Sequence, residues 1–391
     1  MGYQIKKNKM WLLGIILISY FVVGFPDGAF TVSWLGISED IPGMTTAHTG
    51  YILIAYSATY TLAGVLLASL NRWMKLQSIY LLGLVIMGIG FIGLALSPNF
   101  SFVLAAIAIY GFGTGAMASS MNSYMARHFN ASHNNWMHCF WGAGAAISPL
   151  IMGRMKILSN WRAGYVAITA ILAVVGLILL LSMYWKVWID AEGGDKENKA
   201  AEDKKKYLTR PWHQVMEILI FFFLGGTDYT LVFFTGAALV ARGTQTMENV
   251  AIFSAVYYIA MTAGRMFFGW SGKWLNNSFI IRIGIGLSIA GIAILYLTGN
   301  PAGMALTGFG LGPLLPTLVS DTSNRFQPRI LSRIVGWELA AFGSGIAVLF
   351  FLTSQIMHFI SYEALFPLSL SFVVLVFVCN EVLEYALKKS R

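Results

Sequence analysis

Apolar residues run along this chain in blocks too long for the helices of a soluble core. Trp11 to Phe25, Ile52 to Leu70, Ser78 to Leu96 and Val166 to Trp185 each approach or reach the roughly 20 residues that carry a helix across a bilayer. The breaks between such blocks define twelve expected spans, at about 11–36, 47–70, 78–97, 100–126, 134–157, 163–186, 213–241, 247–270, 277–298, 301–322, 331–357 and 361–386. The one long polar stretch, AEGGDKENKAAEDKKKYLTR, falls between the sixth and seventh spans and reads as a solvated linker. The expected organisation is a first bundle over 1–186, a charged linker over 187–212 and a second bundle over 213–391. The first apolar run is expected to be a retained span, because no small-residue cleavage site follows it.

Composition and charge fit that pattern. The 391 residues are 57% hydrophobic and 11% charged, whereas a soluble chain is about a quarter charged. Twelve spans put both termini on one side. All but five of the 26 Lys and Arg residues fall there; Arg154, Lys156, Arg162 and Arg242 lie opposite, and Arg265 lies within a span. The basic side is expected to be cytoplasmic, in a cell (plasma or inner) membrane. Topology thus accounts for the net charge of +9, with the lipid bilayer as partner and no call for nucleic acid. Cys139 and Cys379 sit inside apolar runs, and His128, His133 and His138 are spaced by five, off any common helix face. No disulfide framework, metal site or cofactor is expected, and no Ser/His/Asp set suggests an enzyme.

The second half repeats the first. GFGTG, from Gly111, and GFGLG, from Gly308, stand 197 residues apart in spans four and ten. Gly24-Phe-Pro-Asp27 matches Gly225-Gly-Thr-Asp228 at 201; Ala63-Gly64 matches Ala263-Gly264; Trp141 is paired with Trp337 at 196. Four matches in one order, each linking span n to span n+6, indicate duplicated six-helix halves. GFGTG lacks the strand, third glycine and acidic partner of a dinucleotide loop. Its outer glycines, four apart, share a helix face and predict close helix packing. The expected fold is an all-α membrane protein of twelve transmembrane helices in two pseudo-symmetric six-helix bundles, the major facilitator fold.

Within that superfamily, NNWMHCFWGAGAAISPLIMG resembles the fifth span of the fucose-permease-like sugar branch. Asn135, His138, Phe140, Gly144, Ala145 and Pro149 occupy its Asn-x-x-[Gln/His]-x-Phe and Gly-Ala-x-x-x-Pro positions. Asn122 stands at the branch's intramembrane asparagine, Asp27-Gly28 is similar to its span-one Asp-Gly, and Asp228 falls where relatives carry an acid in span seven. Two departures matter. Ala118 and Thr31 occupy the places of the fucose permease carboxylates, which disfavours fucose itself and requires coupling to be argued afresh.

Charges inside spans face cavities or partners, so the intramembrane polar residues are the candidate site. Asp27 and Asp228, near the middle of symmetric spans, could accept sugar hydroxyls and exchange a coupling cation, proton or sodium; Asp228 is the first choice for coupling and Asp27 the second. Trp337 and Glu338 offer an aromatic platform beside an acceptor. Asn122, Asn135 and His138 add groups that donate and accept. Each has an ordinary structural alternative, in bonds to nearby hydroxyls or arginines. Glu217 and Asp321, close to span ends, read as interfacial. The expected function is cation-coupled uptake (symport) of a small sugar-like solute by alternating access, by a monomer as is usual in the family. Proton-coupled export of amphipathic or drug-like compounds is the alternative, and a non-transporting sensor is a third reading.

Overall fold

The computed structural model describes residues 2–70, 73–129, 131–188, 207–272 and 274–390. Side chains are described throughout these except at 2–9, 65, 67–70, 126, 127, 131, 132, 134, 135, 328, 329, 332, 333 and 390. All regular structure among these residues is helical. The α-helices are α1 (Gly2–Val23), α2 (Phe25–Asp40), α3 (Thr46–Leu70), α4 (Leu76–Ala95), α5 (Phe100–His128), α6 (Ala131–Leu158) and α7 (Trp161–Tyr184). They continue as α8 (Pro211–Ala241), α9 (Val250–Ser271), α10 (Asn277–Thr298), α11 (Pro301–Leu311), α12 (Leu314–Arg325), α13 (Pro328–Phe359) and α14 (Leu365–Ser390).

These fourteen helices make twelve spans, because two spans are broken. Pro26 has no N–H and cannot continue the helical ladder, so the first span divides at Gly24 into α1 and α2. Pro313 does the same between α11 and α12. Ten spans are long and apolar enough on their described residues to cross a bilayer; α3 and α6 complete the set. Helix starts follow local chemistry. The side chains of Asn99, Asn160, Asn276 and Asn300 accept from backbone N–H groups of the turns that follow them. Gly299 closes α10 at φ +65°, a conformation that favours glycine.

The chain divides into two compact units, Met1–Glu192 with Glu248–Tyr258, and Gly193–Met247 with Ile259–Arg391. In the first, Gly111 and Gly115 meet Tyr56, Thr59 and Tyr60 of α3, while Gly113 meets Gly83 and Met87 of α4. In the second, Gly310 meets Gly284 and Ser288 of α10, and Gly312 meets Met261 of α9. The pentapeptide is a two-sided packing surface in both units.

Close contacts also fix the repeat's register. A Cβ on Gly24 would overlap the Trp141 carbonyl, and one on Gly225 the Phe342 carbonyl; Gly144 and Gly345 stand likewise against Phe21 and Phe222. Every one of these pairs is offset by 201, so the structural counterpart of Trp141 is Phe342 and not Trp337. Likewise Tyr60 and Met261 are counterparts, which aligns Gly64 with Arg265 instead of Gly264. Tryptophan identity misled the sequence match, whereas a glycine at a helix crossing is held by sterics.

The inserted prolines leave carbonyls that other helices cover. Pro149 inside α6 frees the Ala145 carbonyl, and Gly28 of α2 packs on it. Pro313 frees Phe309, and Gly264 packs there. Pro316 frees Gly312, whose oxygen takes the Arg265 Nε–H at 3.0 Å. Part of the intramembrane role of Arg265 is therefore to satisfy a backbone group that hydrocarbon would leave bare.

Candidate functional site

In the first unit a half-open polar and aromatic face is built on α1, α2, α3, α5 and α6. Asp27 lies in the first turn of α2, immediately after the proline break, where the N–H ends of the helix favour an anion. Its Oδ2 accepts the Trp141 indole N–H at 3.1 Å, and Trp141 meets Tyr258 edge-on at 6.1 Å. The phenols of Tyr20, Tyr56, Tyr60 and Tyr110 all lie within electrostatic reach of this carboxylate.

Asn122 on α5 donates its amide hydrogens to Tyr20 Oη at 3.1 Å and to the Ala118 carbonyl at 2.9 Å. Both hydrogens point into the protein, which leaves its carbonyl to accept from a ligand hydroxyl. His138 on α6 stands edge-on to Tyr20 at 5.7 Å. Asp27, Asn122, His138 and Trp141 are partly exposed. The side chain of Asn135 lies outside the described residues. Ala118 and Thr31 are buried, and the Thr31 hydroxyl closes on the Gly28 carbonyl at 2.6 Å.

The second unit is arranged differently. Asp228 is half-buried within the unbroken α8. Trp337 and Glu338 are neighbours on α13 and diverge by about 100° around the helix. Trp337 is 42% exposed, and Glu338 has no exposed surface. They do not form one platform with one acceptor. Glu338 Oε1 accepts the Thr322 hydroxyl at 2.7 Å, and Oε2 is buried with no partner among the described residues.

Beside it lies a buried ionic cluster that reading the sequence placed at an interface. Arg325, at the end of α12, is fully buried. Its Nη1 donates to both oxygens of Glu217 on α8, at 3.1 and 2.9 Å. Nη2 reaches Asn380 at 2.6 Å and Glu384 at 3.2 Å on α14, and Asp321 at 3.0 Å one turn back. Asn277 and Asn324 donate to Asp321, and Ser278 to Glu384. Glu217 is buried completely and Asp321 nearly so, so near the ends of their spans both side chains turn inward. The i, i+4 spacing of Asp321 with Arg325, and of Asn380 with Glu384, was the available signal. The four-helix convergence was not visible.

Twelve apolar spans, a duplicated six-helix plan and polar side chains gathered inside each half define a multi-pass membrane transporter of small molecules. Residues 16–349 match the family model of the Major Facilitator Superfamily, and the chain belongs to that family; it is not an enzyme. It is 21% identical over 323 residues to the glucose/mannose transporter GlcP of Bacillus subtilis (strain 168), covering 74% of this chain and 78% of that one. Among solved structures it resembles a mutant of the nucleoside transporter NupG, with TM-score 0.75, 12% identity and coverage of 94% and 99%. It also resembles the superfamily transporter FucP in its outward conformation, with TM-score 0.63, 14% identity and coverage of 96% and 99%. At those identities the two structures share the fold.

Proposed function

We propose that this transporter takes up a sugar or closely related polar solute by alternating access, coupled to a proton or sodium ion. The observation that carries the reading is the first unit's face. There a carboxylate, an amide carbonyl and an imidazole are interleaved with tyrosine and tryptophan rings. A pyranose needs that combination: hydroxyls to be matched and an apolar ring face to be covered. The curated relative, named for glucose and mannose transport, supports the same substrate class. In this reading Asp27, Asn122, Asn135, His138, Asp228 and Trp337 contact the solute, whereas Glu338, with no exposed surface, does not touch it. Asp228 is the first coupling carboxylate and Asp27 the second. The bundles 1–186 and 213–391 rock as units about the linker 187–212, in a monomer whose termini face the cytoplasm of a cell membrane.

Counter-flow of labelled monosaccharides in proteoliposomes tests this. A hexose should exchange, and His138→Ala should weaken its binding by about 0.5–1.5 kcal/mol, the worth of one neutral hydrogen bond. Asp228→Asn should exchange solute yet fail to accumulate it against a gradient, because exchange needs occupancy but no net cation movement. Extrusion of amphipathic dyes without hexose exchange would establish export instead. Accumulation that follows sodium and ignores pH would exclude the proton.

A further inference from the structure

Among the described residues, the buried ionic cluster occurs in one repeat only. With the register fixed by the glycine contacts, the counterparts of Glu217, Asp321, Thr322, Arg325 and Glu338 are Ile16, Tyr124, Met125, His128 and Met137. Ile16, Tyr124, Met125 and Met137 are buried. The first unit therefore closes the same layer with largely apolar side chains, which a membrane bundle can do without desolvating any charge. Packing does not require the acids of the second unit.

Their number does not match their base. Among the described residues, Arg325 meets three carboxyls, those of Glu217, Asp321 and Glu384. Glu338 is a fourth, bound to Thr322, the residue next to Asp321. The Nη1 and Nη2 contacts of Arg325 go to Glu217, Asp321, Asn380 and Glu384, so among the described residues Glu338 is the acid served by a hydroxyl alone. A buried carboxylate with one bare oxygen is expensive. An O–H bond at that oxygen removes the charge and leaves the Thr322 hydrogen bond in place.

We propose that Glu338 is a proton-binding site, with Oε2 carrying the proton and Thr322 holding Oε1. Several groups face it or lie on helices packed against its own. Glu217 and, eleven residues further along, Asp228 lie on α8; Asp321 and Arg325 on α12; Glu384 on α14. Arg329 and Arg333 precede it on α13. When Glu338 releases its proton, a further carboxylate competes for Arg325 and works against the tie between α8, α12 and α14. Proton binding restores that tie. If transport is proton-coupled as read above, this is a second place where the proton can bias the cycle. The site itself does not depend on which solute is carried.

Infrared difference spectroscopy of the full chain in lipid tests the site without any substrate. The neutral acid should show a carbonyl stretching band that disappears as pH is raised. Glu338→Gln should abolish that band. Thr322→Val, which keeps the acid and removes its donor, should move the band to higher frequency. Asp228→Asn should leave it unchanged. A pH-dependent carbonyl band that survives intact in Glu338→Gln, or no such band in the parent, overturns the proposal. If Glu338→Gln does not fold, an unmoved band in Thr322→Val overturns it equally. A band assigned to Glu338 together with negative hexose counter-flow would sustain the proton site and remove the sugar reading.

Discussion

Two arginine–glutamate pairs in the second unit allow burial to be weighed against hydrogen-bond geometry. Arg282 and Glu381 form a two-pronged fork, Nε to Oε1 and Nη2 to Oε2, both at 2.8 Å. Arg325 reaches Glu217 through one nitrogen, at 3.1 and 2.9 Å. If geometry decided, the Arg282 pair would be worth more. Its side chains, however, are 43% and 32% exposed, and those of Arg325 and Glu217 are 0% and 0%. An exposed pair contributes about 0.2–1 kcal/mol. Removing one partner of a buried pair costs about 3–5 kcal/mol, because the remaining charge stays desolvated. Arg325→Met strands Glu217, Asp321 and Glu384 together, which places it at the upper end of that range.

For a unit of this size, each kcal/mol moves the melting temperature by about 2–4 °C on soluble-domain scaling. Arg325→Met should then lower Tm by roughly 10–20 °C, and Arg282→Met by no more than about 4 °C. A fluorogenic thiol reagent can follow unfolding through Cys379, which is buried on α14 beside Asn380. Equal, small shifts for the two variants would refute the argument that burial governs this network.

Glycine contacts on one helix give a second contrast. Gly345→Ala must push α13 away from the Phe222 carbonyl and should cost about 1–3 kcal/mol. Gly343→Ala meets nothing within 4 Å and should be neutral or stabilising by up to about 1 kcal/mol; matching thermal shifts would discredit the crossing. At the carbonyl that Pro316 leaves bare, Arg265→Met should destabilise by about 1.5–3 kcal/mol. The same change in a Pro316→Ala background should cost less, because the alanine introduced there can donate its own N–H to the Gly312 carbonyl. A strictly additive double-mutant cycle would show that the arginine does not serve that carbonyl.

The spans were legible because length and hydropathy leave little choice for runs such as Val166 to Trp185. The repeat was legible through its glycines, since a helix crossing admits no side chain at Gly113 or Gly310. It was misread at Trp337, because an aromatic residue in a span is under no comparable constraint. The first unit's face was legible in part. Asp27, Asn122 and His138 stand out as polar letters in apolar text, whereas Tyr20, Tyr56 and Tyr60 count as apolar and escape notice. The Arg325 cluster was hidden for another reason. Glu217, Asp321 and Glu384 each lie near a polar end of their own span, and only packing of α8, α12 and α14 shows that those ends turn inward.

Duplication supplies an internal comparison for deciding which polar residues the scaffold needs. Where both halves use the same device, as at Gly24 and Gly225 or Gly144 and Gly345, the device serves packing. Where they differ, packing alone is insufficient to explain the residue. Asp27 and Asp228 are counterparts in sequence, yet Asp27 follows a broken helix and holds an indole N–H, while Phe342, the counterpart of that tryptophan, has no side-chain donor to give Asp228. On the function proposed above, symmetric carboxylates in unlike settings take unlike tasks: Asp27 is proposed as a fixed acceptor of solute hydroxyls and Asp228 as the coupling group. Trp141→Phe separates the two assignments. It gives the first half the second half's side chain and removes one donor from Asp27. Solute affinity should fall while the ratio of accumulation to exchange stays unchanged. If that ratio falls and affinity does not, the coupling role belongs to Asp27.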